Sequence, residues 1–365
     1  MSIKRIGVLT GGGDCSGLNA VLRAITKCAI SRYGWTVVGI RDGFEGLLGE
    51  PRTTSLTGNM VKGLMCRGGT ILGSSNKGDP FAYKTVDDNG KVTTVDRSDE
   101  ALENIRNLEL DVLLVIGGDG TNAIGYKFFQ RGVPVIGIPK TIDNDLGATD
   151  VTFGFDTAVN VVMEAIDRLQ TTAESHHRVM IVETMGRNAG WIALQAGLAG
   201  GADIILIPEM NWTVQSVAKA IHRRKKIGRN FTIICVAEGA SPQNGEQVVK
   251  RLIKDSAETV RLGGISHRLC EWLEPLGVGE CRSTEMGHVQ RGGTPTAFDR
   301  NLCTRLGAYA VHVAERGEFG KMVILHHNEV TTEDIFEAIK KIRLVDPDGN
   351  WVQTARDTGV SFGDD

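Results

Sequence analysis

Short runs of valine and isoleucine, many of them stopped by glycine, recur along this chain and restrict its fold more than any other feature. Residues 3–9, 36–40, 112–116, 135–138, 179–183, 204–207, 232–237 and 322–326 are such runs. Several are apolar without alternation, which is the pattern of strands buried on both faces of a parallel sheet. Helical stretches lie between them. In 155–173 the apolar Val159, Val162, Met163, Ile166 and Leu169 recur at helical spacing, with Glu164, Asp167 and Arg168 on other faces. Residues 214–227 and 297–316 read the same way. Parallel strands need crossover connections, so repeated strand–loop–helix units predict an α/β fold.

Eight such strands exceed one comfortable sheet, and 365 residues suffice for two domains. The expectation is therefore two doubly wound, Rossmann-like α/β/α domains around a shared cleft, joined near Gly154. Residues 77–100 are polar and irregular and read as an excursion or hairpin. The last dozen residues are polar and are expected to fray. Apolar residues make up 41% and charged residues 23%, with a net charge of −3. That is a soluble globular balance, and it disfavours a nucleic-acid binder or a polybasic membrane binder. The apolar run near the start is too short for a signal peptide or a membrane span. Seven cysteines without a Cys-x-x-Cys pair read as reduced thiols of a cytosolic protein.

Ligands of open α/β sheets sit beyond the carboxyl ends of the strands, so the loops there are the place to look for chemistry. The first run ends in 11–19 (GGGDCSGLN), followed by a helix. Its glycines free backbone N–H groups to face an anion, and the helix dipole adds to the attraction. It is not a Walker A loop, because Gly-Lys-Ser/Thr occurs nowhere in the chain. A second loop, 117–123 (GGDGTNA), formally matches a dinucleotide fingerprint at Gly118, Gly120 and Ala123. That fingerprint does not require Asp119. An acid inside a phosphate loop suits a Mg²⁺ held between carboxylate and phosphates, which favours a nucleoside triphosphate. A third loop, 139–145 (PKTIDND), sets Asp143 and Asp145 beside Lys140 and Thr141. Phosphoryl transfer to an alcohol needs a base near the acceptor oxygen and charge screening around the moving group. This cluster can supply both. The second half carries cations at strand ends or in glycine-rich turns: Arg178, Arg187, Arg282 and Arg291. Their planar forks match the oxygens of a sugar phosphate. The basic run 223–226 reads as a solvated helix face, and His177, His222, His326 and His327 as structural.

In their order along the chain, 11–19, 117–121, 139–145, 153–156 (FGFD), 185–187 (MGR), 238–239 (EG) and 287–293 (GHVQRGG) resemble the 6-phosphofructokinase family, over about residues 3–340. The resemblance implies a glycolytic kinase that uses Mg-ATP to make fructose 1,6-bisphosphate from fructose 6-phosphate. Asp143 matches the base that takes the proton of the sugar 1-hydroxyl, and Asp119 the magnesium-holding acid. Gly11 and the loop Gly118, Asp119, Gly120 and Thr121 match the donor-phosphate cradle. Thr141 and Arg187 match groups that stabilise the transferring phosphoryl. Asp145, Met185, Gly186, Glu238, His288 and Arg291 join Thr141, Asp143 and Arg187 around the sugar phosphate. Arg178 and Arg282 match arginines that reach across a subunit interface to the 6-phosphate, which implies a homo-oligomer, dimer or tetramer. On this reading 1–154 with 290–340 forms the nucleotide-binding domain, and 155–289 with 341–365 the fructose 6-phosphate-binding domain.

Two positions bear on the donor. Asn76 stands where the common bacterial ATP enzymes carry arginine, with Lys77 beside it as a substitute. Lys140 is glycine in those enzymes and lysine in the pyrophosphate-dependent ones, so the chain resembles the mixed branch. Gly120, where pyrophosphate enzymes tend to place aspartate, leaves room for a nucleotide. A lysine amine at 140, read as a flexible cation, excludes neither donor. ATP is therefore the expected donor, and pyrophosphate the nearest alternative. Arg23 and Lys27 match basic effector-site positions. An NAD-dependent dehydrogenase rests on the weak fingerprint alone and leaves the arginines unexplained. A non-catalytic sugar-phosphate sensor would be favoured by loss of Asp119 or Asp143, and both are present.

Overall fold

All eight apolar runs are strands in the computed structural model, which describes residues 3–75, 78–86, 92–243, 245–252, 260–340 and 342–365. The first part of the chain holds β1 (Arg5–Thr10), β2 (Thr36–Ile40), β3 (Thr53–Leu56), β4 (Tyr83–Val86), β5 (Val92–Val95), β6 (Val112–Gly117) and β7 (Val135–Pro139). The second holds β8 (Val179–Thr184), β9 (Ile204–Leu206), β10 (Thr232–Ala237), β11 (Val249–Leu252), β12 (Val260–Leu262) and β13 (Cys281–Glu285). β14 (Lys321–His326) and β15 (Glu329–Asp334) follow. Two main sheets result, a seven-stranded one in the order β15-β14-β7-β6-β1-β2-β3 and a four-stranded one in the order β13-β8-β10-β9. Their central pairs are parallel, and β3 and β15 close the larger sheet as antiparallel edges. β4 and β5 form a hairpin inside the irregular polar stretch, and β11 pairs with β12. Within the two main sheets the strands without an apolar run, β3, β13 and β15, are all edge strands. An edge strand with a solvated face has polar residues in its pattern, so its sequence carries no buried-strand signal.

Ten helices cover the sheets among the described residues: α1 (Leu18–Tyr33), α2 (Ser98–Asn107), α3 (Asp119–Gln130), α4 (Phe155–His176), α5 (Trp191–Ala199), α6 (Val214–Lys226), α7 (Ile265–Leu273), α8 (Ala297–Glu315), α9 (Ile335–Lys340) and α10 (Asn350–Asp357). α4 buries Ala158, Val162, Ile166 and Ala173, one stripe of the periodic pattern. Thr213 and Thr296 cap α6 and α8, accepting the N–H of Ser216 at 3.0 Å and of Asp299 at 3.3 Å. α5 (WIALQAGLA) is apolar nearly all round and buried, so no helical period marks it in the sequence. One continuous core runs from the inner face of the larger sheet through α1, α8, α4 and α5 to the inner face of the smaller. Separate clusters fill the outer face of each sheet.

The last residues are not frayed. Val352 and Ala355 of α10 are buried, Phe362 is fully buried, and Ser361 bridges Ile204 of β9. Arg356 lies 5.0 Å over the Phe362 ring and pairs with Asp364. A single aromatic anchor outweighs the polar composition around it. Nor is 223–226 simply a solvated face: Arg224 pairs with Asp203 at 2.8 Å and Lys225 donates to the Val278 carbonyl. No helix among the described residues is long and apolar enough to cross a membrane, and the seven cysteines are unpaired.

Candidate active site

β1, β6 and β7 run side by side, and their carboxyl ends deliver the three loops to one place. The ladder continues past the strands: Gly11 donates its N–H to Ile116 and Lys140 to Gly117, both at 2.9 Å. Gly11 is required there, because a Cβ would lie 2.5 Å from Cγ2 of Thr121. α3 starts at Asp119, so its N-terminus faces the same space, where the Gly120 N–H donates to Asp119 Oδ1 at 2.7 Å. Asn122 closes the loop by donating to the Gly117 and Gly118 carbonyls at 2.7 and 2.9 Å.

The turn 141–145 is held from within. Thr141 Oγ1 accepts the Asp143 N–H at 3.1 Å. Asn144 sits at φ 53°, buried, and its Oδ1 accepts the Thr152 N–H at 3.0 Å. Thr152 Oγ1 donates to the Thr141 carbonyl at 2.6 Å. Asp143 and Asp145 therefore project from a braced turn. Burial pushes the Asp145 carboxyl above its usual range, and the charge of Asp119 adds to the push. Lys140 is not the freely swinging cation expected from sequence. It is buried, its Nζ donates to the Gly13 carbonyl, and burial lowers its pKa. The ammonium ties the first loop to the third.

These groups wall a cavity of about 540 Å³. Gly11, Gly118, Asp119, Gly120, Thr121, Lys140, Thr141, Asp143, Asp145 and Arg291 all line it. Asn76 and Lys77 lie outside the described residues. The cavity continues past the phosphate loop to Phe44, Ala82, Ala123, Ile124 and Lys127, none of which stood out in the sequence. Ala123, Ile124 and Lys127 share one face with Gly120 on α3, a signal available once that helix is placed. Phe44 and Ala82 belong to no motif. A Cβ on Gly120 would meet nothing within 4 Å, so a side chain there enters open space. The carboxylates of Asp119 and Asp145 with the threonine hydroxyls form a hard oxygen set beside a phosphate-sized space, which fits Mg²⁺.

The smaller sheet faces this cavity with the loops after β8, β10 and β13. Glu238 donates its N–H to Thr184 at 2.8 Å, and Gly239 to Gly186 at 3.2 Å. A Cβ on Gly239 would lie 1.9 Å from the Arg187 carbonyl, so only glycine lets the two loops meet. Buried Gln290 accepts the Met185 N–H at 3.2 Å and so joins the third loop to the first. Burial pushes the Glu238 carboxyl up to about 7, with further upward pushes from Asp143 and Glu183 and a downward pull from Arg291. Glu238, Asp143 and Arg291 thus share one field, although they come from both sheets. Arg291 donates to the Asp14 carbonyl at 3.1 Å. It also borders a second cavity, of about 530 Å³, where His288 lies with Arg67 and Ser74.

Arg178 and Arg282 do not join them. Both sit at the amino ends of their strands, Arg178 just before β8 and Arg282 at the second residue of β13. Both pair with Glu280, Arg178 at 2.7 Å. Arg187 and Arg291 lie past the opposite ends of these strands. Proximity to a strand end in sequence did not distinguish the two ends.

Residues 5–314 match the family described as Phosphofructokinase. The chain belongs to the phosphofructokinase family. It is 50% identical over 363 residues to ATP-dependent 6-phosphofructokinase 2 of Clostridium perfringens, covering 99% of each chain. It is 46% identical over 360 residues to the pyrophosphate–fructose 6-phosphate 1-phosphotransferase of Streptomyces coelicolor, covering 98% of this chain and 100% of that one. Among solved structures, Pichia pastoris phosphofructokinase in the T-state superposes with a TM-score of 0.77 at 29% identity. That match covers 93% of this chain and 36% of that longer one. Phosphofructokinases named for either donor thus lie at similar distance, so the donor has to be argued from the site.

Proposed function

We propose that this phosphofructokinase transfers the γ-phosphoryl of ATP to the 1-hydroxyl of fructose 6-phosphate, giving fructose 1,6-bisphosphate in cytoplasmic glycolysis. The observation that carries the donor assignment is the shape of the cavity. It runs beyond the phosphate-binding N–H groups into a wall of Phe44, Ala82, Ala123 and Ile124, which suits a nucleoside and which pyrophosphate would leave empty. The open space at Gly120 admits the α-phosphate.

In this mechanism the donor phosphates lie between the glycine loop 11–13 and the N-terminus of α3, whose dipole attracts them. The sugar 1-hydroxyl approaches Asp143, which accepts its proton as the oxygen attacks phosphorus. The braced turn keeps that carboxylate in place, and Thr141 and Arg187 stabilise the moving phosphoryl. Met185, Gly186, Glu238, His288 and Arg291 hold the sugar phosphate. Asp119, with Asp145 facing it, would hold Mg²⁺, which neutralises donor-phosphate charge when bound. The donor half is then 1–154 with 290–340 and the sugar half 155–289 with 341–365. Arg178 and Arg282 point away from their own site, so we assign them to a partner subunit's sugar phosphate in a homo-oligomer.

The second reading, pyrophosphate as donor, is favoured by Lys140 in the cavity wall. A steady-state assay with fructose 6-phosphate, equal Mg²⁺ and saturating ATP or pyrophosphate separates the two. ATP is expected to support the faster turnover. Faster turnover with pyrophosphate would make Lys140 the better guide, and no turnover with either would end the kinase reading.

A further inference from the structure

A short stretch of irregular chain near the C-terminus crosses between the two sheets at the active-site end. Ile342 bridges Leu146, and the Arg343 N–H donates to the Asp145 carbonyl at 2.7 Å. The Arg343 guanidinium donates to the Asp150 carbonyl. On this side, then, the stretch holds the loop that carries Asp143. Its other side faces the smaller sheet. Trp191, the first residue of α5, donates its indole N–H to the Arg343 carbonyl at 3.0 Å, and the guanidinium lies 4.6 Å over its ring. The Val345 N–H donates to Glu209 at 2.9 Å, and the same carboxylate accepts the Gly190 N–H at 2.9 Å. Gly190 ends the loop that carries Met185, Gly186 and Arg187.

We propose that residues 342–345 are a strap that sets the separation between the Asp143 turn and the 185–187 loop, with Arg343 as its positioning residue. The inference rests on the roles proposed above for Asp143 and Arg187. Two features distinguish the strap from a mere connection. Arg343 and Glu209 are both ionisable groups partly withdrawn from water, and burial disfavours the charge on each. Neither is spent on the other: each fixes backbone of a site loop. In addition, no residue of 342–345 lines either cavity. Transfer requires acceptor oxygen and phosphorus to be aligned within a fraction of an ångström, and these loops come from different sheets. A loosened strap would therefore slow the chemical step while leaving each substrate's own contacts intact.

The test uses the full chain with Arg343→Ala, Arg343→Lys and Trp191→Phe. Arg343→Ala is expected to lower kcat about ten-fold or more, because small misplacements are costly, with KM for both substrates within about two-fold of the parent. Calorimetric binding of fructose 6-phosphate should be unchanged. Arg343→Lys, which restores a cation and a donor, should recover part of the kcat loss. A kcat within about two-fold of the parent, or a loss carried by KM, overturns the proposal. If Arg343→Ala does not fold, Trp191→Phe decides: it keeps the ring and removes one N–H, and kcat should fall about three-fold at steady KM. An unchanged kcat in that variant also overturns the strap. The parent is assayed first. A parent with no transfer removes the kinase reading and the strap with it, whereas an active parent beside an unaffected variant removes the strap alone.

Discussion

At the carboxyl edge of the seven-stranded sheet, the loops after β1, β6 and β7 close on one another and wall most of a cavity of about 540 Å³. At the same edge of the four-stranded sheet, the loops after β8, β10 and β13 zip together, yet only Arg291 reaches that cavity. Two of the four arginines singled out for the sugar phosphate sit at the far end of the smaller sheet, quieted by Glu280. The difference fits what each half is proposed to bind. Donor phosphates can be gathered by backbone N–H groups, which one chain's loops supply at no cost in charge. A sugar-phosphate dianion calls for several guanidinium groups, and crowding these at one strand end of one chain would set them against each other. With the proposed sharing of sites between subunits, cations from a second copy would avoid that repulsion until the anion arrives.

The largest expected effect tests the donor half. Asp143→Asn keeps the shape of the turn and removes the base, so kcat should fall by about 10²–10⁴-fold while fructose 6-phosphate still binds. Turnover within about three-fold of the parent would take Asp143 out of that role. Next comes Gly120→Asp. A Cβ there meets no atom within 4 Å, and Gly120 lines the cavity assigned to the donor. ATP-dependent kcat/KM should fall by roughly 10²-fold, since an unpaired carboxylate against a phosphate is strongly unfavourable. Lys140→Gly should leave ATP usable with a raised KM, because it removes the tie to the Gly13 carbonyl but leaves the α3 N-terminus in place.

The third prediction concerns the incomplete half. Arg178→Ala and Arg282→Ala should each weaken fructose 6-phosphate binding by about 1.5–3 kcal/mol, the usual range for a charge-assisted contact, without changing donor KM. Mixing the Arg178→Ala and Asp143→Asn proteins should restore some activity, as each chain supplies what the other lacks. Mixed oligomers with confirmed subunit exchange and no recovered activity would mean that both halves are complete within a chain.

The smallest effect is a pH dependence at Glu238, where the halves meet. Its folded pKa, about 7, lies above the ordinary glutamate value of 4.5. The folded state therefore holds this proton more tightly than the unfolded one, so the stabilising contribution is present below about pH 4.5 and is lost as pH rises toward 7. Glu238→Gln, which cannot ionise, should be more stable than the parent above pH 7 by at most about 3 kcal/mol. The gap should close as pH falls to 5. Melting temperatures of both proteins without ligand, at pH 5 and pH 8, check it. A gap that does not change with pH would show that burial does not raise the Glu238 pKa in the folded protein.

Much of this protein was readable from neighbouring residues alone. Strand formation in the Val/Ile runs, the glycine-rich loops 11–19 and 117–121, and the acid pair of 139–145 depend on local backbone preference and on spacing within one loop. Those are properties of consecutive residues, and the sequence states them directly. The tertiary structure decided what depends on strand order and direction. It placed Arg187 and Arg291 at one end of the smaller sheet and Arg178 and Arg282 at the other, although all four look alike along the chain. It made β13 an edge strand and α5 a buried helix, for which no period exists to be read. It brought Arg343, in the otherwise apolar run 342–345, against Asp150, almost two hundred positions earlier. Charge, burial and reach at such points are set by neighbours far away in sequence, and only the folded chain brings those neighbours together.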